Sequence, residues 1–203
     1  MDPITRIVGT AVPLGRNSVD TDQIMPKQFL KRVERSGFGQ FLFHDWRANG
    51  DFVLDDPRFA GASVLVAGRN FGCGSSREQA VWGLLDYGLG AVIAPSFAPI
   101  FRQNAARSRL LTVELSEEDC ERCARELEKM PDTRVVIDIE KLRVAFGSRD
   151  LPFPLDQRTW DAFILGTDEI ERTLVLEESL SAYERQRRPW LPRSIHVNGG
   201  ARG

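Results

Sequence analysis

The sequence predicts an α/β protein built on a mixed sheet with covering helices. Three observations carry that expectation. Short apolar runs recur between Gly, Pro or charged punctuation, and longer segments with helical spacing lie between them. From residue 63 to 115 the two kinds of segment alternate, which favours strands joined through helices over a meander of hairpins.

The apolar runs at 4–12, 63–67, 91–94, 110–115, 135–139 and 142–146 read as strands. Helical spacing marks 77–87, 97–107, 117–130, 157–165 and 178–188. The N-terminal third is less regular. Phe29, Leu30, Val33, Phe38, Phe41, Leu42, Phe43 and Trp46 fit either a helix broken at Ser36-Gly37 or a packed loop. No internal repeat is visible, so residues 1–188 read as one domain and 189–203 as a flexible tail.

A chain of 203 residues sits within the usual range for one domain, and 42% hydrophobic with 28% charged residues is ordinary globular composition. Lys+Arg is 27 against Asp+Glu 29, a net charge of -2, too balanced for whole-surface attraction to nucleic acid or anionic membrane. The uncharged run at 88–101 is broken by Pro95 and Pro99 and is shorter than the roughly 18 residues a bilayer demands. No nucleic-acid or membrane partner is therefore expected. The opening residues show no basic region followed by an apolar stretch, which points to the cytoplasm. Three cysteines, Cys73, Cys120 and Cys123, are too few for a disulfide framework and are expected as reduced thiols.

The most informative stretch runs from Gly68 to Gln79, between a strand and an amphipathic helix. Gly72 and Gly74 allow the positive φ of a close-approach turn, and a helix N-terminus offers amides and a dipole to an anion. A plainer alternative exists. Ser75 with Glu78 matches a capping box, in which the serine side chain satisfies a first-turn amide and needs no ligand. Arg77 would oppose the dipole in that first turn, so it calls for a nearby acid or a bound carboxylate. Neither a Walker loop nor a Gly-x-Gly-x-x-Gly fingerprint is present, and nucleotide binding is unsupported. A second cluster, Asp20-Thr21-Asp22, places two aspartates on one face of an extended segment, suited to orienting a hydroxyl or binding a cation. An Asx-type turn accounts for it equally simply.

These blocks, 20–30 and 70–78 together with 94–104 (Ala-Pro-Ser-Phe-Ala-Pro-Ile-Phe-Arg-Gln-Asn), resemble in order and spacing the small subunits of 3-isopropylmalate dehydratase, swivel-domain relatives of aconitase. The likeness continues through Asp156-Gln157-Arg158-Thr159 to the Arg-rich end.

That resemblance implies a swivel-like β/β/α layered domain with a mixed, barrel-like sheet. It also implies one half of a heteromeric hydro-lyase that isomerises 2-isopropylmalate to 3-isopropylmalate in leucine biosynthesis. By position in the family motifs, Ser75 matches the general base and Asp22 a member of its hydrogen-bond network. Ser76 and Arg77 match contacts to the substrate carboxylate, with Gly74, Ile24 and Lys27 completing the substrate site. The resemblance places a [4Fe-4S] cluster in a partner large subunit and no metal on this chain. The stretch 24–31 matches the part to which substrate choice is attributed; Ile24, Met25, Phe29 and Leu30 read either as an apolar wall for an isopropyl group or as core. The family commonly has histidine after Ser-Ser-Arg-Glu, where this chain has Gln79, which hydrogen-bonds but does not titrate near neutral pH. Alternatives are a related hydratase of maleate, citraconate, dimethylmaleate or homoaconitate, a non-catalytic dicarboxylate-binding module, and cysteine catalysis through Cys73. The last would need a nearby base, and His44 and His196 are the only histidines.

Overall fold

The computed structural model describes residues 2–30, 36–75 and 77–166. Ser76, Lys31, the helix expected at 178–188 and the tail at 189–203 lie outside the described residues. Met1–Gly166 form one unit.

Two four-stranded sheets are present instead of the single mixed, barrel-like sheet expected. One is wholly parallel, in the order β2 (Ala11–Pro13), β3 (Val64–Val66), β4 (Ala91–Ala94), β5 (Leu111–Glu114). The other is wholly antiparallel, in the order β1 (Arg6–Gly9), β6 (Val135–Asp138), β7 (Arg143–Phe146), β8 (Arg149–Pro152). Among the described residues no pairing closes either sheet into a barrel.

The apolar run at 4–12 feeds both sheets, because it is cut at Thr10. The Thr10 carbonyl accepts from the amides of Ser63 and Val64 at 3.1 and 3.3 Å, and a side chain at Gly9 would overlap Ser63. Burial tells the sheets apart. Every residue of β2, β3 and β4 is buried, as in a parallel sheet covered on both faces, whereas β1, β7 and β8 alternate along their length. The edge strand β8, too polar to stand out in the sequence, is made by a two-residue turn at Gly147-Ser148 that pairs Phe146 with Arg149.

The short helices α1 (Thr21–Ile24) and α2 (His44–Arg47) lie in the connection from β2 to β3. Among the described residues of the aromatic stretch, no helix runs through 36–43. Phe43 takes a left-handed backbone conformation, φ 52°, between a 3-10 turn at Gly39–Phe41 and α2, and its buried ring lies 5.3 Å from Trp46 and 5.4 Å from Phe52. The packed-loop alternative is therefore the one found, because ring burial outweighs the strain of one left-handed residue.

Two ten-residue helices, α3 (Glu78–Tyr87) and α4 (Pro99–Ser108), connect β3 to β4 and β4 to β5. Right-handed crossovers put both on one face, where they pack together. The other face is left to α5 (Glu117–Lys129), which lies against β2, β3 and β4 and buries Cys120, Cys123 and Leu127. α6 (Gln157–Ile164) starts at Asp156, whose carboxylate accepts from the Thr159 amide at 2.9 Å, and buries Phe163.

Candidate active site

Parallel strands β2, β3 and β4 leave the sheet at one edge, so the loops that follow them meet there. In open α/β sheets this carboxyl edge is where ligands bind. The loop after β3 is held from both sides. Toward the β2 loop, the Gly68 amide donates to the Arg16 carbonyl (2.9 Å), Ser18 to Arg69 (2.8 Å), Gly72 to Val19 (2.8 Å) and Thr21 to Cys73 (2.9 Å). Toward the β4 loop, the Asn70 amide donates to Ser96 Oγ (2.9 Å) and the Phe71 amide to the Ser96 carbonyl (3.0 Å).

Two glycines in this loop are required by their surroundings. Gly72 has φ 75°, and a Cβ on it would run into the Phe101 ring, which meets Phe71 edge-on at 5.3 Å. Gly74 has φ 86°, and a Cβ on it would overlap the Asp20 carboxylate. Gly74→Ala is therefore expected to destabilise the chain by about 1–3 kcal/mol through left-handed strain plus that overlap. Chemical denaturation would measure it; an unchanged midpoint would mean that Asp20 swings away freely.

Ser75 is exposed at the end of this loop. The capping box expected with Glu78 does not form. Helix α3 begins at Glu78 with Arg77 as its N-cap, extended at φ -137° and ψ 111°, and Arg77 supplies no side-chain cap. The loop has used the residues before Glu78 to reach the β2 connection, so Ser75 lies two residues too far out to cap. No described residue hydrogen-bonds its hydroxyl.

Arg77 turns instead to Asp22, with which it forms an ion pair. Its side chain is 11% exposed and that of Asp22 38%. The acid that the sequence demanded for this cation is thus supplied by the second motif, brought across more than fifty residues by the α1 segment. Lys27 Nζ lies 3.4 Å from the other oxygen of Asp22 and is open to solvent. The Asx-type expectation for the first aspartate holds as well: Asp20 caps α1, accepting from the Asp22 amide at 2.7 Å, while Gln23 Oε1 accepts from the Asp20 amide at 2.8 Å. One segment therefore contains both a cap and an ion-pair partner.

The expected substrate wall is divided. Ile24 and Met25 are fully buried and belong to the core, so Ile24 presents no surface to a ligand. Phe29 is half-buried, stacked on Phe41 at 4.1 Å and edge-on to His44 at 4.9 Å; Leu30 is half-buried beside it. Gln79 is half-buried in the first turn of α3.

Burial works against ionisation at all three thiols. Burial pushes Cys120 up to about 12 and Cys123 up to about 11. Cys73 is also raised, by burial and by the neighbouring Asp20 carboxylate. A thiolate is the reactive and ligating form, and every one of these surroundings opposes it. Among the described residues no three His, Cys, Asp or Glu side chains gather as a metal site. The three thiols, all among the described residues, are therefore not gathered with other such side chains into a ligand set for an iron-sulfur cluster. A cavity of about 290 Å3 opens on the α5 side of the same edge, lined by Asn17, Gly68, Pro95, Glu117 and Arg125 among others, and contains none of the residues around Ser75.

Residues 1–118 match the model of the aconitase C-terminal domain. The chain is 47% identical over 195 residues to the 3-isopropylmalate dehydratase small subunit of Rubrobacter xylanophilus, covering 96% of this chain and all of that one. The chain belongs to the 3-isopropylmalate dehydratase small-subunit family. The same subunit of Clavibacter michiganensis is 45% identical over 202 residues, covering 99% of this chain and 98% of the relative. In fold, this family member is similar to the crystal structure of 3-isopropylmalate dehydratase (leuD) from Methanocaldococcus jannaschii, with a TM-score of 0.63 at 28% identity over 86% of this chain and 99% of that one. No helix among the described residues is long and apolar enough to cross a membrane.

The family resemblance assigns Asp20 no part in the site, and Thr21 has no sequence signal. Asp20 proves to be the α1 cap and the floor under Gly74, while Thr21 reaches the Ser75 peptide, its hydroxyl 2.6 Å from the Ser75 carbonyl. Nothing in the local spacing announces the Asp20–Gly74 approach or the Thr21 contact.

Proposed function

We propose that this chain is the small half of a cytoplasmic heteromeric hydro-lyase that converts 2-isopropylmalate to 3-isopropylmalate by dehydration and rehydration. The observation that carries the reading is the near-full-length likeness to proteins named as that small subunit. The exposed Ser75 beside an Arg77 held on Asp22 supports it from the side of chemistry.

In this reading Arg77 binds a substrate carboxylate through its planar fork, a contact in which Ser76 and Gly74 share by their match to the family motif, with Lys27 as a second cation. Ser75, as the oxyanion, takes the proton from the carbon next to a carboxylate, and the hydroxyl departs from the adjacent carbon; water returns with hydrogen and hydroxyl exchanged. An ordinary serine is far too weak a base for this. The cationic Arg77 and the amide end of the ten-residue α3 both lower the cost of negative charge at that point. A [4Fe-4S] cluster of the large subunit would, when bound, supply the Lewis acid that departure of the hydroxyl calls for. Phe29 and Leu30, with the buried Ile24 behind them, provide the apolar side that an isopropyl group prefers. A methylene in such a pocket discriminates by only about 1–3 kcal/mol, so substrates with smaller side chains are expected as weak competitors.

The test is anaerobic reconstitution with the cluster-loaded large subunit of the same organism, following the absorbance of the unsaturated intermediate from 2-isopropylmalate. Turnover that needs both chains is the expected result. A complex that hydrates citraconate or maleate and leaves 2-isopropylmalate untouched would overturn the substrate, and a chain that forms no complex would overturn the subunit reading.

A further inference from the structure

Thr21 lies between the two motifs and is 2% exposed. Its side chain points away from the core cluster toward the loop after β3. The hydroxyl donates to the Ser75 carbonyl at 2.6 Å, and the Thr21 amide donates to the Cys73 carbonyl at 2.9 Å. Two consecutive contacts thus tie α1 to either side of Gly74. The second is made by the backbone amide and survives replacement of the side chain by any residue but proline; the first depends on one hydroxyl.

The surrounding geometry leaves that hydroxyl much to do. Gly74, at φ 86°, is the most permissive point of the loop, and Ser75 follows it directly. Beyond Ser75 the next described restraint is the Arg77 ion pair with Asp22, itself on α1. The peptide carrying the Ser75 carbonyl is the link that neither the Cys73 contact nor the Arg77 pair holds. Asp20 fixes the frame from below: it caps α1 and fills the space above which Gly74 turns. Rotation of the Ser75 peptide would swing the serine side chain while the ends of the loop stayed in place.

We propose that Thr21 is a positioning residue for Ser75, its buried hydroxyl fixing the peptide plane from which the Ser75 side chain projects. The inference rests on the reading of Ser75 as the base. Thr21 does not touch substrate; it acts through Ser75. Misplacement of a reacting group by about 1 Å costs roughly 100-fold in rate, and loss of one restraint on a loop otherwise held at both ends should cost about 10- to 100-fold in kcat. KM should move by less than about threefold, because Arg77 remains on Asp22 and the carboxylate contact does not run through Thr21.

The experiment uses the two-chain holoenzyme, with rates divided by the complex measured by size exclusion. Thr21→Val removes the hydroxyl at nearly constant volume, Thr21→Ala removes it without a branched replacement, and Thr21→Ser restores it; Ser75→Ala is run beside them. Expected are intact complexes, a fall in kcat at nearly constant KM for Thr21→Val and Thr21→Ala, and recovery to within about threefold of the native rate for Thr21→Ser. Native kcat in either hydroxyl-free variant while Ser75→Ala is inactive would overturn the positioning role alone. Equal losses in Thr21→Ser and Thr21→Val would also overturn it, since a merely structural role is then sufficient. An active Ser75→Ala enzyme would overturn both this inference and the assignment of Ser75 as base.

Discussion

Ser75→Ala is expected to lower kcat of the reconstituted enzyme by about 100- to 10,000-fold, the range that a positioned general base contributes. Complex formation and thermal midpoint should be nearly unchanged, because Ser75 is exposed and its hydroxyl caps no helix. The comparison that gives the result its meaning is Cys73→Ala. Cys73 is two residues away in the same loop, half-buried, and its thiol is held protonated by burial and by Asp20. Its contacts to Val19 and Thr21 run through backbone and survive the change. Cys73→Ala should therefore keep native turnover within about threefold, losing only a small side chain outside the chemistry. If the cysteine variant is dead and the serine variant active, nucleophilic catalysis by Cys73 replaces the proposed mechanism.

A second large effect is expected at Arg77. Arg77→Ala should reduce kcat/KM by about 100- to 1,000-fold, the cost of deleting a preorganised donor to charge in a site of this kind. Arg77→Lys keeps the charge and loses the planar fork, so it should recover only part of that loss. The effect on folding should be small. Asp22 is 38% exposed and keeps Lys27 at 3.4 Å, so removal of Arg77 does not leave it as a buried unpaired charge. Asp22→Asn weakens the anchor without removing the guanidinium, and is expected to raise KM more than it lowers kcat. Because the two side chains are one unit, Arg77→Ala combined with Asp22→Asn should cost no more than Arg77→Ala alone. Fully additive losses, measured as kcat/KM, would show that Asp22 acts on the reaction independently of Arg77.

Both predictions depend on residues whose importance was visible in the one-dimensional pattern. Gly72 and Gly74 stand between a β-branched apolar run and an amphipathic segment, and such a spacing dictates a strand, a close turn and a helix before any contact is known. The helices α3, α4, α5 and α6 were legible to within two residues at each end, because each buries a stripe with helical period. The same is true of β3 to β7, whose apolar runs had the length and punctuation of strands. Arg77 itself carried a usable signal. A guanidinium where the helix dipole opposes it demanded an anion, and the structure supplies Asp22.

Other features had no local signature. The break at Thr10 that sends one apolar run into two sheets depends on where Ser63 arrives, and β8 exists because a two-residue turn sets Arg149 against Phe146. Neither is encoded in hydrophobic period. The left-handed Phe43 looked like part of a helix, since its neighbours share helical spacing; ring packing with Trp46 and Phe52 outweighed that local preference. Capping statistics favoured Ser75 as an N-cap, yet helix α3 starts two residues later than that requires because the loop is drawn across to the β2 connection.

The sequence by itself determined the α/β class, most element positions, the anion-seeking loop and the need for a partner to Arg77, since each follows from period, glycine freedom and helix electrostatics within a few residues. Only the tertiary structure decided that Asp22 is that partner, that Ile24 is core, and that Thr21 reaches the Ser75 peptide. Those contacts join residues more than fifty positions apart, and the parallel arrangement of β2 and β3 is the physical reason they meet.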